Sequence, residues 1–289
     1  MDTTRRIADF IAGSSYEGLP PEVVTAAKRC LLDWLGVGLA GSTEPASCIL
    51  LQTVREMGGK RQASIFGSAL RTSALNAALA NSAMSHVLDY DDTYAHVHSS
   101  STLFPAIFAI AEKGQLGGKD VLSAFIPGFE LEARLAEVVG DPFLARGLHP
   151  TASLGAFGAA ASTGKLLGLN ADQIVNALGI ALTKVSGAVA ALGTMAKCLQ
   201  IGSSATNGLL AARLAQQGFT GPAAALEGEK GFFRVYLSAP QPQNFAADLG
   251  QSYRVTRDCF KLHACCRATH AAVDAALALR REHEIKPAD

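Results

Sequence analysis

The sequence predicts an all-α protein whose residues 1–289 form a single helical domain. Three observations predict it. Apolar residues recur at three- and four-residue steps through most of the chain, period-two runs are scarce, and glycine or proline marks the ends of the periodic stretches. With 289 residues, 49% of them hydrophobic and 17% charged, there is apolar material for a large core and no composition that favours disorder.

Taken in order, Pro20-Pro21 opens the first clear helix. Val23, Val24, Ala27, Leu31, Trp34 and Leu35 recur along it at helical spacing until Gly36 to Gly41 ends it. The same spacing predicts helices over 73–88, 103–113, 119–139, 152–167, 171–185, 203–217 and 264–282. Asn170, with Gln173 three residues on, has the form of an N-cap with a reciprocal partner, and Gly168 fits a helix stop. Only 63–66 and 253–256 carry strand character. The stretches GAFGAAASTGKLLGL and NGLLAARLAQQG are dominated by Ala, Gly and Ser. Low side-chain bulk lets backbones approach closely, which places these helices near the centre of a bundle. Residues 238–244, SAPQPQN, read as a surface loop, and no fixed-period repeat is present.

Charge excludes several function classes. Twenty-five Lys+Arg balance twenty-five Asp+Glu, so no field draws in nucleic acid or an anionic membrane, and Arg5-Arg6 and Arg280-Arg281 fall on helix surfaces. The opening MDTTRRIADFIAG carries an acid within its apolar run, and Lys165, Asp172, Lys184 and Lys197 cut the most apolar stretches below a bilayer span. The expected compartment is therefore the cytoplasm. Cys30, Cys48, Cys198, Cys259, Cys265 and Cys266 form no metal-ligand spacing and read as core thiols. Neighbours on a helix point about 100° apart, so the vicinal pair suits an iron–sulfur cluster poorly.

The chemistry concentrates in NSAMSHVLDYDDTYAHVHSSSTLFPAIFAIAE, residues 81–112. Asp89, Asp91 and Asp92 alternate around Tyr90, and His86, His96 and His98 flank them, so acid and base groups meet between two apolar helices. An exposed, solvated loop is the plainer alternative. A metal site built from Asp91, Asp92, His96 and His98 is another, although no rigid ligand spacing fixes those residues.

Six blocks in order carry a resemblance: KRCLLDWLGVGLAGS, NSAMSHVLDYDDT, HSSSTLFPAIFAIAE, GLHPTASLGAFGAAASTGKLLGLN, TMAKCLQIGSSATNGLLAARLAQQGFTGP and CCRATHAAVDAALAL. The chain resembles the MmgE/PrpD family, whose members include 2-methylcitrate dehydratase, cis-aconitate decarboxylase and iminodisuccinate epimerase. The resemblance implies a cleft in which Asp89, His98, His149, Lys197 and His270 face a di- or tricarboxylate. The expectation is a reaction without cofactor or metal, and the resemblance implies a homodimer built on the helical domain, to which helices rich in small apolar residues are suited.

The chemistry of these residue types fits that assignment. Lys197 supplies a fixed charge for a carboxylate, the imidazoles hold or move protons near neutral pH, and Asp89 orients an imidazole or accepts a proton. Each has an ordinary alternative. His149 before Pro150 would cap a helix, Lys197 would be solvated were it not among Ala190, Leu192, Met195, Leu199 and Ile201, and His270 would be a core histidine bonded to a carbonyl. Arg267 precedes His270 by three residues and could clamp a second carboxylate from the same face. Ser99 and Ser100 stand where many relatives have proline after the histidine, and are candidate hydroxyl donors to substrate. His86 and His96 match no family position and are weaker candidates.

Family members continue into an α/β lid domain, whereas this sequence stops at HEIKPAD, so the expectation is the N-terminal helical domain with the lid absent. The favoured reaction is a metal-free dehydration of the 2-methylcitrate type: His149, or His98 supported by Asp89, removes a proton beside a carboxylate held by Lys197 and Arg267, and His270 assists loss of the hydroxyl. Epimerisation and decarboxylation remain open alternatives. So does a helical domain that binds a carboxylate or a partner chain without turnover.

Overall fold

Prolines start three of the long helices, at the first helical position where no backbone donor is lost. The computed structural model describes residues 2–237 and 244–286. Its helices are α1 (Thr3–Gly13), α2 (Pro21–Gly41), α3 (Pro45–Met57), α4 (Ala74–His86), α5 (Ser99–Gly114), α6 (Gly118–Ala145), α7 (Pro150–Leu166), α8 (Ala171–Leu182), α9 (Ala196–Gln216), α10 (Phe232–Leu237) and α11 (His270–Glu282). The fold is all-α, as the periodicity predicts. Asn170 caps α8 as expected, accepting from the Gln173 backbone at 2.9 Å while the Gln173 side chain accepts from Asn170 at 3.1 Å. None of the described helices is long and apolar enough to cross a membrane.

Helix α7 is the axis of the body. Every residue from Pro150 to Gly164 is buried, and α5, α6, α8 and α9 pack around it. Small residues make this possible: a Cβ on Gly208 of α9 would lie 2.6 Å from the Ala156 carbonyl, so only glycine lets the α7 and α9 backbones meet. Two apolar clusters flank the axis. In one, Trp34 of α2 meets Phe104 of α5, which stacks on Phe125 of α6 at 4.1 Å between centroids; the other gathers Phe143, Phe157 and Phe232.

The structure departs from expectation in identifiable places. The predicted helices include neither α1 nor α3; α5 begins several residues before its apolar periodicity because its first turn is Ser99-Ser100-Ser101-Thr102, and α9 begins at Ala196, seven residues before the predicted start. Residues 63–64 do form a strand, paired in antiparallel register with Arg71–Thr72. The other strand candidate is a 3-10 turn, Arg254–Arg257, held by the Glu130 carboxylate, which accepts from the Arg254 and Val255 backbone. Helix α11 starts only at His270 and buries none of its residues. The thiols are not all in the core: Cys30 and Cys198 are buried, but Cys48, Cys259 and Cys266 are exposed and Cys265 is half-buried. The proposed loop at 238–244 lies outside the described residues except for Asn244.

Candidate functional site

Four chain segments bring the charged cluster together. Helix α4 ends at His86, α5 begins at Ser99 with His98 at its N-cap, α7 begins behind His149, and the first turn of α9 carries Lys197. A fifth segment arrives through an antiparallel bridge between Thr93 and Cys259, with backbone bonds of 2.9 and 3.1 Å, and delivers Lys261. Beside them opens a cleft of about 590 Å³ whose lining includes His86, Asp89, Lys197, Cys198 and Cys266.

Asp89 is the hub. Its backbone adopts the left-handed conformation at φ 50°, which aspartate tolerates better than most residues but which still costs energy unless the surroundings hold it. Two ammonium groups hold it: Lys197 bonds Oδ2, and Lys261 bonds Oδ1 at 2.8 Å and the Asp89 carbonyl as well. His98 Nε2 lies 3.9 Å from the same carboxylate. Burial alone would raise the Asp89 pKa, but the imidazoles of His98 and His86 and the two lysines hold it well below the ordinary range.

Behind Asp89 the chain is dry. Asp91 is fully buried, 2.9 Å from His86 Nδ1 and 2.6 Å from the Ser101 hydroxyl, and despite its burial its surroundings hold its pKa well below the ordinary carboxylate range. The His86 and His98 rings meet edge to face with centroids 4.8 Å apart. Asp92 faces away, toward Cys30 and Asp258, and takes the Ser100 hydroxyl. Burial, with Asp258 beside it, raises the Asp92 pKa well above the carboxylate range.

The hydrogen bonds sort the imidazole tautomers. His98 Nδ1 lies 3.0 Å from the Asp92 carbonyl, which can only accept, so Nδ1 carries the proton and Nε2 has a free lone pair. His149 Nδ1 lies 3.0 Å from the Gln200 amide nitrogen, which donates, so its Nε2 carries the proton. Burial pushes both below their ordinary value, His98 to about 4 and His149 to about 3, with neighbouring imidazoles and lysines adding to the effect. Both are neutral near pH 7, one poised to accept a proton and the other to donate.

Of the residues singled out from the sequence, Asp89, His98, His149 and Lys197 converge here. Lys197 finds its partner in Asp89, but Leu192, Met195 and Leu199 around it are exposed and do not enclose it. His270 and Arg267 do not join: His270 Nε2 is 3.3 Å from the Cys265 carbonyl with its ring against His263, and Arg267 is exposed on the adjacent turn. Ser99 and Ser100 do not face the cleft. Both are buried, because the acids beneath the first turn of α5 need hydroxyl donors.

The metal set suggested from sequence is dispersed. His96 sits at the surface 3.3 Å from Asp141, and Asp92 points to the other side of its segment. Ligand atoms of His86, Asp89, Asp91 and His98 do lie within 4.8 Å of one another, and those of Cys30, Asp92 and Asp258 likewise. In the first group Lys261 already places an ammonium 2.8 Å from Asp89 and 4.0 Å from Asp91, supplying the charge a cation would bring.

Two groups were underrated or missed. His86, read as weak, is an integral part of the cluster. Lys261 was not singled out at all; its side chain is 1% exposed and its partner lies 172 positions away, so no local pattern in FKLHACC marks it.

A helical body in which Asp89 and Lys197 line a cleft, with Lys261 and two imidazoles of opposite tautomer packed behind them, defines the class. The chain belongs to the MmgE/PrpD family: the MmgE/PrpD N-terminal domain matches residues 5–244. Among curated relatives, it is 31% identical to the cis-aconitate decarboxylase-like protein oryM of Aspergillus oryzae over 98% of the chain and 62% of that protein. It is 32% identical to the cis-aconitate decarboxylase of Aspergillus terreus over 97% of the chain and 60% of the relative, and 30% identical to that of Homo sapiens over 99% and 62%. The chain thus spans about three fifths of the length of these relatives.

Proposed function

We propose that the cleft holds a small tricarboxylate and serves its decarboxylation, as the names of the relatives suggest, by proton chemistry without a metal. The observation that carries this reading is the pair of lysines on Asp89 beside neutral imidazoles of opposite tautomer. An arriving carboxylate competes with Asp89 for Lys197, whose side chain is the more open of the two. Its negative charge also raises the pKa of the nearby imidazoles, so the substrate itself turns them into proton carriers.

The balance for a cis-aconitate-type substrate is simple. The bond to one carboxylate breaks and releases carbon dioxide, its electron pair forms a new double bond, and the old double bond takes a proton at its far carbon. In this reading protonated His98 or the Nε2–H of His149 gives that proton. Dehydration, favoured from the sequence, uses the same groups in reverse order, His98 Nε2 removing a proton beside a carboxylate. It becomes the second reading because the relatives are named for decarboxylation.

Proton NMR of the full-length protein in deuterated water with a panel of small carboxylates tests this. Loss of carbon dioxide with one deuteron incorporated supports the proposal. A new alkene without carbon loss selects dehydration, exchange at a stereocentre selects epimerisation, and no change with any acid leaves a binding domain. The proposal includes a homodimer and a cytoplasmic location. Light scattering at micromolar concentration should give twice the chain mass of 30.0 kDa, and a monomeric mass refutes the dimer.

A further inference from the structure

Glu132 of α6 is fully buried where α5 and α7 cross, and no step above uses it. Its Oε2 lies 2.9 Å from the Thr102 hydroxyl and would be 2.7 Å from a Cβ on Gly158, so only glycine on α7 admits the carboxyl. Its Oε1 and the Ser99 hydroxyl are both buried without a hydrogen-bond partner, and Ser99 lies near enough to the carboxyl to favour its charged form in part. Thr102 has a single proton but faces two acceptors, Glu132 Oε2 and the Ser99 carbonyl at 3.0 Å. Both contacts are hydrogen bonds only if the carboxyl brings a proton of its own.

No cation among the described residues compensates this group. Among the described residues, Glu132 makes no ion pair with any charged side chain on the helices around it. Its neighbours Glu130 and Arg134 on α6 pair with each other, and Arg134 with Asp248. Glu137 takes Tyr94, Arg254 and Arg257. Glu112 on α5 is bonded to Ser64 and Arg71, Lys165 on α7 to the Ala12 carbonyl, and Lys197 on α9 to Asp89. The titratable groups at the starts of α5 and α7, His98 and His149, are directed to the Asp92 carbonyl and to Gln200.

The two hydroxyls at Glu132 belong to the first turn of α5, whose N-cap is His98. The other two in that turn, Ser100 and Ser101, are taken by Asp92 and Asp91. The same turn meets the start of α7, where the Thr151 hydroxyl accepts from the His98 backbone at 3.3 Å. Three buried acids therefore latch the turn that aims His98. We propose that Glu132 is a positioning residue, a neutral carboxylic acid whose proton completes the hydroxyl latch under α5 and fixes His98 in the cleft. This rests on the reading of His98 as a proton-transfer group.

Burial also pushes the Glu132 carboxyl from its ordinary 4.5 up to about 8, the hydroxyls opposing only in part. With the folded value above the unfolded one, the stability linked to this proton is complete below about 4.5 and is lost as pH rises through about 8.

The test compares parent, Glu132→Gln and Glu132→Leu in the full-length protein, measuring kcat and melting temperature from pH 6 to 9.5. The glutamine amide keeps a donor and an acceptor but cannot ionise. It should retain kcat near pH 7 within about fivefold and lose the alkaline fall in both kcat and melting temperature that the parent shows. Leucine should lower kcat at least tenfold with little change in KM. Parent and Glu132→Gln sharing one alkaline fall would overturn the proposal, as would Glu132→Leu folding with unchanged kcat. Should leucine fail to fold, the glutamine pair still decides. A parent that turns over no carboxylate rejects the functional reading and the positioning role with it, whereas an active parent matched by Glu132→Gln at every pH rejects the positioning role alone.

Discussion

Residues 86–102 and residues 262–286 are both rich in ionisable groups, and both were candidates for the site, yet the fold treats them oppositely. In the first, His86, Asp91, Asp92, Ser100 and Ser101 are buried and every one is held by a named partner or an adjoining acid. In the second, α11 buries nothing and its charged residues stand in solvent. A charge in the first region is committed by its surroundings, since leaving it unpaired in a dry interior is costly. The charges of the second are exposed to solvent and screened, and the pair that His263 makes with Asp274 at 2.7 Å lies within the segment rather than on the floor. The difference teaches that the cleft has a fixed floor and an open rim, and that proton chemistry is to be sought on the floor.

The largest expected effect sharpens this on the floor. His98→Gln should lower kcat by about 10²–10⁴-fold, the range for losing a general acid–base group, with the fold intact. Lys197→Ala should chiefly raise KM, because Asp89 keeps Lys261 while the substrate loses its accessible cation. Normal turnover in both, or losses that track unfolding, would break the comparison by removing the floor's catalytic role.

Next comes stability. Asp91→Ala strands His86 and the Ser101 hydroxyl in a dry site, and breaking a buried pair typically costs about 3–5 kcal/mol. A melting temperature within a degree of the parent would show that the floor is not latched as described. The pH dependence follows with its sign. Asp91 is held below its ordinary pKa, so its contribution is present above the unfolded carboxylate value and is lost as pH falls below about 4. Acid titration of the melting temperature should therefore show a fall in the parent that Asp91→Asn lacks.

How much of this was legible in the sequence follows the same division. The all-α body shows in the three- and four-residue spacing, and the floor acids show because Asp89, Asp91 and Asp92 crowd between apolar helices. The strand reading at 253–256 failed because Glu130, more than a hundred residues away, captures the backbone donors of that turn. Lys261 and Glu132 were invisible for the same reason: their meaning lies in partners brought by tertiary packing, Asp89 for one and the α5 hydroxyls for the other. Ser99 and Ser100 were legible as hydroxyl donors but not in direction, since a run of four hydroxyl residues on one helix turn does not say which face is dry.

The smallest expected effect is at the rim, and it tests the comparison from the other side. Arg267 is exposed and follows Cys266, which lines the cleft, so any contact it makes with a bound carboxylate is a solvent-exposed one at the rim. Solvent screening makes such a contact worth little, typically about 0.2–1 kcal/mol for an exposed pair. Arg267→Ala should accordingly raise KM by no more than about fivefold, leave kcat alone, and shift stability by less than about 0.5 kcal/mol. His270→Ala should behave alike, because its imidazole is bonded to the Cys265 carbonyl rather than to the floor. A loss of kcat approaching that of His98→Gln in either variant would mean that the 262–286 segment closes onto the substrate during turnover, and that the rim belongs to the reacting centre as much as the floor does.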